Sequence, residues 1–202
     1  MKENFYLLII IFIPFLSNAQ ELSFGPLIGF NSYNIEIDGP LNAEGGNSSL
    51  NFGGFIDYNF KGNVGVKANI LYNSVSENGY NIVENGIGSD FIFDDVKYNA
   101  IQLQALLKYD VKNNYNKGFY LLGGIRMSSI LNAESNGEDV KEFYKSPNFG
   151  VMLGLGINFL KNFGLELIPE YSISSSIDSD NNKSKNFGAY LNLTYNLKSI
   201  IK

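Results

Sequence analysis

The chain has 202 residues, a formal net charge of −5, neither cysteine nor histidine, and many aromatics and glycines (13 Tyr, 16 Phe, 21 Gly) against 17% charged residues. This balance gives a nucleic-acid role little support, excludes a disulfide framework and thiol chemistry, and removes the commonest general base and transition-metal ligand. Sparse charge with frequent aromatics and glycine suits many strands and tight turns better than helices.

At the amino terminus Lys2 precedes an apolar run over residues 5–16, followed by Ser17, Asn18 and Ala19. The run is too short to span a bilayer as a helix. Ser17 and Ala19 fit the small-residue positions of a signal-peptidase site, so residues 1–19 are expected to be a signal peptide cleaved after Ala19. The alternative is a buried amino-terminal element. Residues 20–202 are expected to form one domain outside the cytoplasm.

From there the sequence alternates with a period of two, the signature of strands. Residues 23–34 put Phe24, Pro26, Ile28 and Phe30 on one face. A Gly-rich loop is expected over residues 36–49. Residues 50–60 put Phe52, Ile56, Tyr58 and Phe60 opposite Asn51, Phe55, Asp57 and Asn59, and Lys61, Gly62 and Asn63 make a tight turn into the strand at 64–74. A long loop follows over residues 77–95, in which Phe91, Ile92 and Phe93 suggest a short strand. Residues 96–109 and 119–130 are the fourth and fifth strands, joined by a polar turn at 110–118. A loop over 131–147 leads to a long hairpin at 148–174, two strands joined by little more than Lys161 and Asn162. After a polar loop at 175–185, residues 186–197 form the eighth strand.

Each strand has one bulky apolar face and one small or polar face. A soluble barrel or sandwich turns the bulky face inward; a membrane barrel turns it toward lipid. Asp57, Lys67, Lys108, Arg126, Glu166 and Glu170 all lie on the small or polar faces. That sorting suits either arrangement. Connections alternate between long and short, as in outer-membrane barrels with long extracellular loops and short periplasmic turns. Aromatics gather at strand ends: Tyr58, Phe60, Tyr109, Phe119, Phe159, Phe163 and Tyr195 by the short turns, Phe30, Phe52, Tyr72, Phe149, Tyr171 and Phe187 towards the long loops. These resemble the two interfacial girdles of a transmembrane barrel. The expected fold is all-β: a closed antiparallel up-and-down transmembrane β-barrel of about eight strands in the outer membrane. A soluble lipocalin-like barrel binding an apolar ligand is the alternative.

The Asn-Ala-Gln end of the signal segment, Phe24-Gly25-Pro26 with Gly29, Gly54-Phe55-Ile56-Asp57-Tyr58, Gly154-Leu155-Gly156 and Glu170-Tyr171 carry a resemblance. In these the chain resembles the PorT-like, OmpX-like outer-membrane β-barrel proteins of Bacteroidota. The resemblance covers the mature chain and implies a barrel of about eight strands. It permits a place as an accessory of a secretion or assembly machine. The carboxyl terminus departs from many barrels, because Tyr195 is the last aromatic and a tail to Lys202 follows. Pro26 and Pro169 each remove a ladder donor, so a bulge or strand end is expected near them.

The inward charges are the candidate constellation. Three acids (Asp57, Glu166, Glu170) and three bases (Lys67, Lys108, Arg126) balance to zero, and an eight-stranded barrel has an interior just wide enough for side chains. They are expected to form a structural ion-pair network that plugs the lumen; the other reading is a narrow ion path or small-ligand site. Glu166 and Glu170 lie about 13 Å apart along a strand, too far for a glycosidase pair, and histidine-dependent hydrolysis is impossible. No enzyme activity, catalytic residue, cofactor or metal site is expected. Asp90, Asp94, Asp95, Asp178 and Asp180 read as solvated loop charge in preference to a Ca²⁺ site. The expected partners are outer-membrane lipid and lipopolysaccharide, with an envelope protein as a possible further partner through the extracellular loops, and no nucleic acid.

Overall fold

In a computed structural model the chain is described over residues 21–38, 43–77, 81–83, 90–92, 96–111, 115–177 and 183–199. The signal segment at 1–19 lies outside these residues, as do Phe93, Asp94, Asp95, Asp178, Asp180 and the end of the tail.

Eight long strands make the fold: β1 (Glu21–Asp38), β2 (Ala43–Lys61), β3 (Val64–Glu77), β4 (Val96–Asp110), β5 (Gly118–Ser135), β6 (Asn148–Phe159), β7 (Phe163–Ser172) and β8 (Lys183–Tyr195). Every neighbour pairs antiparallel in chain order, and β8 pairs with β1, which closes the sheet. Closure leaves no sheet edge along the wall, so every backbone donor and acceptor there can be met within the sheet.

The ladder fixes the barrel's tilt. From Phe24 the partners run through Ile56, Ala68, Ala105, Ile125, Val151, Tyr171 and Phe187, and return to β1 at Asn34, ten residues beyond the start. With eight strands that stagger tilts each strand by about 40° to the barrel axis and leaves a lumen only side-chain wide.

Alternation along each strand sets the two surfaces. β4 alternates buried and exposed residues over its last eleven positions. Large apolar side chains face outward, among them Leu50, Phe52, Leu107, Phe119, Leu153 and Phe187; Leu153 is 74% exposed. Inward stand Asn51, Asp57, Lys67, Asn69, Gln104, Lys108, Arg126, Glu166 and Asn192, all 4% exposed or less. This is the inverse of a lipocalin-like barrel, which needs its bulky residues inside, and that alternative falls on this point. The lumen also holds an apolar half, Leu106, Tyr120, Leu122, Met152, Ile168 and Tyr190, and a smaller cluster of Leu27, Phe55 and Leu71.

Several boundaries differ from the sequence expectations. The expected loop at 36–49 is mostly strand: β1 continues to Asp38, β2 starts at Ala43, and Glu36 pairs with Glu44. β5 runs to Ser135, across a register shift near Leu131 between the pairs Asn99–Asn132 and Ala100–Ile130. β8 starts at Lys183 and ends at Tyr195, where a 3₁₀ turn over Leu197–Ser199 follows. The cause is common to these extensions. Beyond the apolar band the ladder continues through backbone hydrogen bonds, while outward positions turn polar, as at Glu36, Ser48, Glu134 and Lys185. The short strand expected around Phe91 is Asp90–Ile92, paired with Asn81–Val83.

Neither proline makes a bulge. Pro26 pairs in register with Gly54 and sits just past the end of the β8 ladder, which starts at Leu27. Pro169 pairs with Ala189, while the ladder to β6 lapses between Leu167 and Glu170 and resumes in the same register.

Candidate functional site

The lumen is built from the inward residues of all eight strands. All six charges named from the sequence stand in it, and they meet in three ion pairs. Lys67 pairs with Glu166, four strands away and so across the full width of the barrel. Lys108 lies 2.7 Å from Asp57. Arg126 lies 2.5 Å from Glu170, donates from Nε to the same oxygen at 2.6 Å and from a terminal nitrogen to Asn148 at 2.7 Å. The partners within each pair come from different strands because inward ions in a side-chain-wide lumen lose their water and must find an opposite charge.

The charge balance differs from the expected zero. Glu77 and Asp110 also point inward and are buried, so the described lumen holds five acids against three bases. Both lie at the last position of a strand, and polar end residues carry no alternation signal. Asp110 lies 3.7 Å from Lys108 and accepts the backbone N–H of Asn116 at 3.1 Å.

Hydrogen-bonded tyrosines stand at the two ends. At the end by the short turns, Tyr115 and Asn116, just ahead of β5, turn into the barrel. Tyr115 donates to Asp57, Lys108 donates to the Asn116 side chain, and Asn116 donates to Ser23 at 2.8 Å. The Lys108 ammonium stands 4.3 Å from the Tyr115 ring centre and 4.5 Å from that of Tyr120, so its charge is shared between two carboxylates and two ring faces. Tyr120 also donates to Glu166 at 2.8 Å. Sequence reading assigned Tyr115 and Asn116 to a polar turn; a lone aromatic among asparagines was the available signal.

At the end by the long loops, the hydroxyls of Tyr33 and Tyr144 donate to the two oxygens of Glu77 at 2.7 and 2.9 Å, and the hydroxyl oxygens of Tyr33 and Tyr98 are 2.5 Å apart. Tyr144 comes from the loop between β5 and β6, held down where Lys145 N–H bonds the Ser176 carbonyl at 3.0 Å. Burial and the adjacent Glu77 carboxylate push the Tyr144 hydroxyl far above the ordinary phenol range. Beneath this cap, Tyr190 donates to Gln102 at 2.9 Å, again across four strands.

On the outer wall the expected aromatics meet as cross-strand neighbours. Phe52 and Tyr72 are direct ladder partners with ring centres 5.2 Å apart. At the other end Phe163 lies 4.9 Å from Tyr195 and 5.9 Å from Phe159.

A closed strand barrel with apolar residues turned outward and its ions paired within is a membrane-spanning β-barrel. The chain belongs to the outer membrane protein beta-barrel domain family, whose model matches residues 18–178. It is a small outer-membrane β-barrel protein. Neisserial surface protein A and Ail are among the solved structures that share its fold. Neisserial surface protein A is 16% identical, with a TM-score of 0.54 over 87% of this chain and 100% of its own. Ail, the attachment invasion locus protein of Yersinia pestis, is 16% identical, with a TM-score of 0.50 over 88% of this chain and 99% of its own. None of the curated proteins matches the sequence.

Proposed function

We propose that this barrel is a scaffold of the bacterial surface, with a side-chain-filled lumen and long loops that face outward to meet a surface partner or the outer leaflet. The observation that carries the reading is the closure of the lumen at both ends, by Tyr33, Tyr98 and Tyr144 around Glu77 and by Tyr115 and Asn116 around Asp57 and Lys108. Between them Lys67–Glu166 spans the interior, and Arg126 pairs with Glu170 along one side of it. Such an interior suits a strut better than a pore. In this reading the short turns and both ends of the mature chain face the periplasm, and the chain is exported by a signal peptide cleaved after Ala19.

Ail is named for attachment and invasion, and Neisserial surface protein A for its place at the cell surface. A surface role for the loops here agrees with those names. The PorT-like residue pattern supports placing the chain in that group of Bacteroidota, where an accessory role in a secretion or assembly machine is the second reading.

The test of the filled lumen is conductance of the purified barrel in a planar lipid bilayer. The expected result is no steady current above the bare bilayer; a sizeable steady conductance would overturn the scaffold reading. Mass spectrometry of the cleaved amino terminus tests processing, and a first residue other than Gln20 would refute the proposed site.

A further inference from the structure

One stretch of the lumen wall is built of amides that the protein leaves unanswered. Across five neighbouring strands the inward positions Asn73, Asn51, Gly29, Asn192 and Glu166 are successive ladder partners. Asn51, Asn73 and Asn192 are at most 1% exposed. Among the described residues, neither side-chain atom of any of the three has a hydrogen-bond partner, and one oxygen of Glu166 has none either. Buried amides in folded proteins are almost always bonded, to protein or to ordered water. Turning an amide over exchanges its oxygen and nitrogen but supplies no partner where both atoms lack one.

Gly29 sits at the middle of this belt. A Cβ placed there would collide with the side-chain amides of both Asn51 and Asn192, so two amides converge from either side over a residue that has no side chain. Amides gathered with neither donor nor acceptor met call for a small molecule that both donates and accepts, and water is the one that fits beside them.

The belt also lies between two cavities on the axis. The upper one, of about 50 Å³, is lined by Asn31, Val75 and Tyr190, each the next inward position from Gly29, Asn73 and Asn192. The lower one, of about 20 Å³, is lined by Thr194, the next inward position after Asn192, and by Lys67 and Tyr120, both bonded to Glu166. Each volume has room for a few waters at most, too little for a hydrated ion.

We propose that the Asn73–Asn51–Gly29–Asn192–Glu166 belt carries a file of water that joins the two cavities, so that the barrel passes water while its ion pairs and tyrosine caps exclude ions. The file runs past Asn192 to Glu166 and Thr194, because Leu27, Phe55 and Leu71 block the neighbouring side. This inference rests on the membrane-barrel reading and extends it.

The experiment is stopped-flow light scattering of liposomes holding the full mature chain, under an osmotic gradient of sucrose. Folding is verified by heat-modifiable migration in detergent. The expected result is faster shrinkage than protein-free liposomes, with weaker temperature dependence. Gly29→Ala and Asn192→Leu are expected to abolish that increment while the barrel stays folded. If Gly29→Ala does not fold, Asn192→Leu decides alone. Shrinkage of folded wild-type liposomes at the protein-free rate would overturn the inference, as would a full increment in the folded Asn192→Leu variant. A steady ionic current would instead overturn the filled-lumen reading, so the two failures are distinguishable.

Discussion

Lys67 on β3 and Glu166 on β7 form an ion pair across the whole lumen, between walls that the closed sheet places opposite each other. Both side chains are at most 3% exposed. Removing one charge strands the other in a low-dielectric interior. Glu166→Gln is therefore expected to destabilise the barrel by about 3–5 kcal/mol. The double change Lys67→Met with Glu166→Leu is expected to cost less than either single change. Urea unfolding in detergent, followed by heat-modifiable migration, measures both, and a double variant weaker than Glu166→Gln would contradict the account.

The outer wall predicts the opposite sensitivity. Leu153 is a highly exposed outward residue near the middle of β6. Leu153→Arg is expected to cost about 2–4 kcal/mol at bilayer mid-depth. The measurement is reversible unfolding from phospholipid vesicles. Ser129→Arg, at a partly exposed position near the loop end of β5, is expected to cost far less.

Gly156 and Gly123 separate packing from backbone effects. The Tyr120 ring lies over Gly156, so that a Cβ there would strike the ring and its hydroxyl. At Gly123 the nearest atom to an added Cβ is Leu153 Cδ1, 3.7 Å away. Gly156→Ala is expected to destabilise by about 1–3 kcal/mol, as overpacking does. Gly123→Ala is expected to be near neutral. Thermal unfolding of the two variants in the same detergent compares them directly.

The Tyr144–Glu77 bond predicts a loop phenotype. Tyr144→Phe deletes a donor to a buried carboxylate, a loss of about 1.5–3 kcal/mol for a bond to a charged group. Because Tyr33 still donates to Glu77, the barrel is expected to stay folded while the loop carrying residues 141–147 loosens. Limited proteolysis should then cut that loop faster than in the wild type, with the strands protected. Equal rates of cleavage would remove Tyr144 as the latch.

Much of the wall was legible in the sequence because membrane-facing strands must alternate. Period two alone separated Phe52, Ile56, Leu107 and Leu153 from Asp57, Lys67, Lys108, Arg126, Glu166 and Glu170, and the alternating loop lengths and aromatic strand ends turned the first set outward. The strand ends were less legible. At Glu36 and Ser48 the outward residues are polar, yet the β1–β2 ladder runs on through residues 35–37 and 43–49, since backbone hydrogen bonding is indifferent to side-chain type.

The lumen's ends were the least legible. Glu77 and Asp110 are strand-end acids, and Tyr115, Asn116 and Tyr144 lie in connecting segments. Their inward course depends on where the chain turns, and no local pattern records that.

A barrel of about eight strands with two sorted faces could be read before any contact was known, because hydrophobic alternation is local and repeats with each strand. Only the tertiary structure decided which charges pair, since Lys67 meets Glu166 through the closure and ten-residue stagger of the sheet. The same closure sets tyrosines at both mouths and brings the amides of Asn51 and Asn192 together over Gly29. Those contacts join residues far apart in the chain, and their geometry follows from barrel register, a property of the closed sheet that no single strand contains.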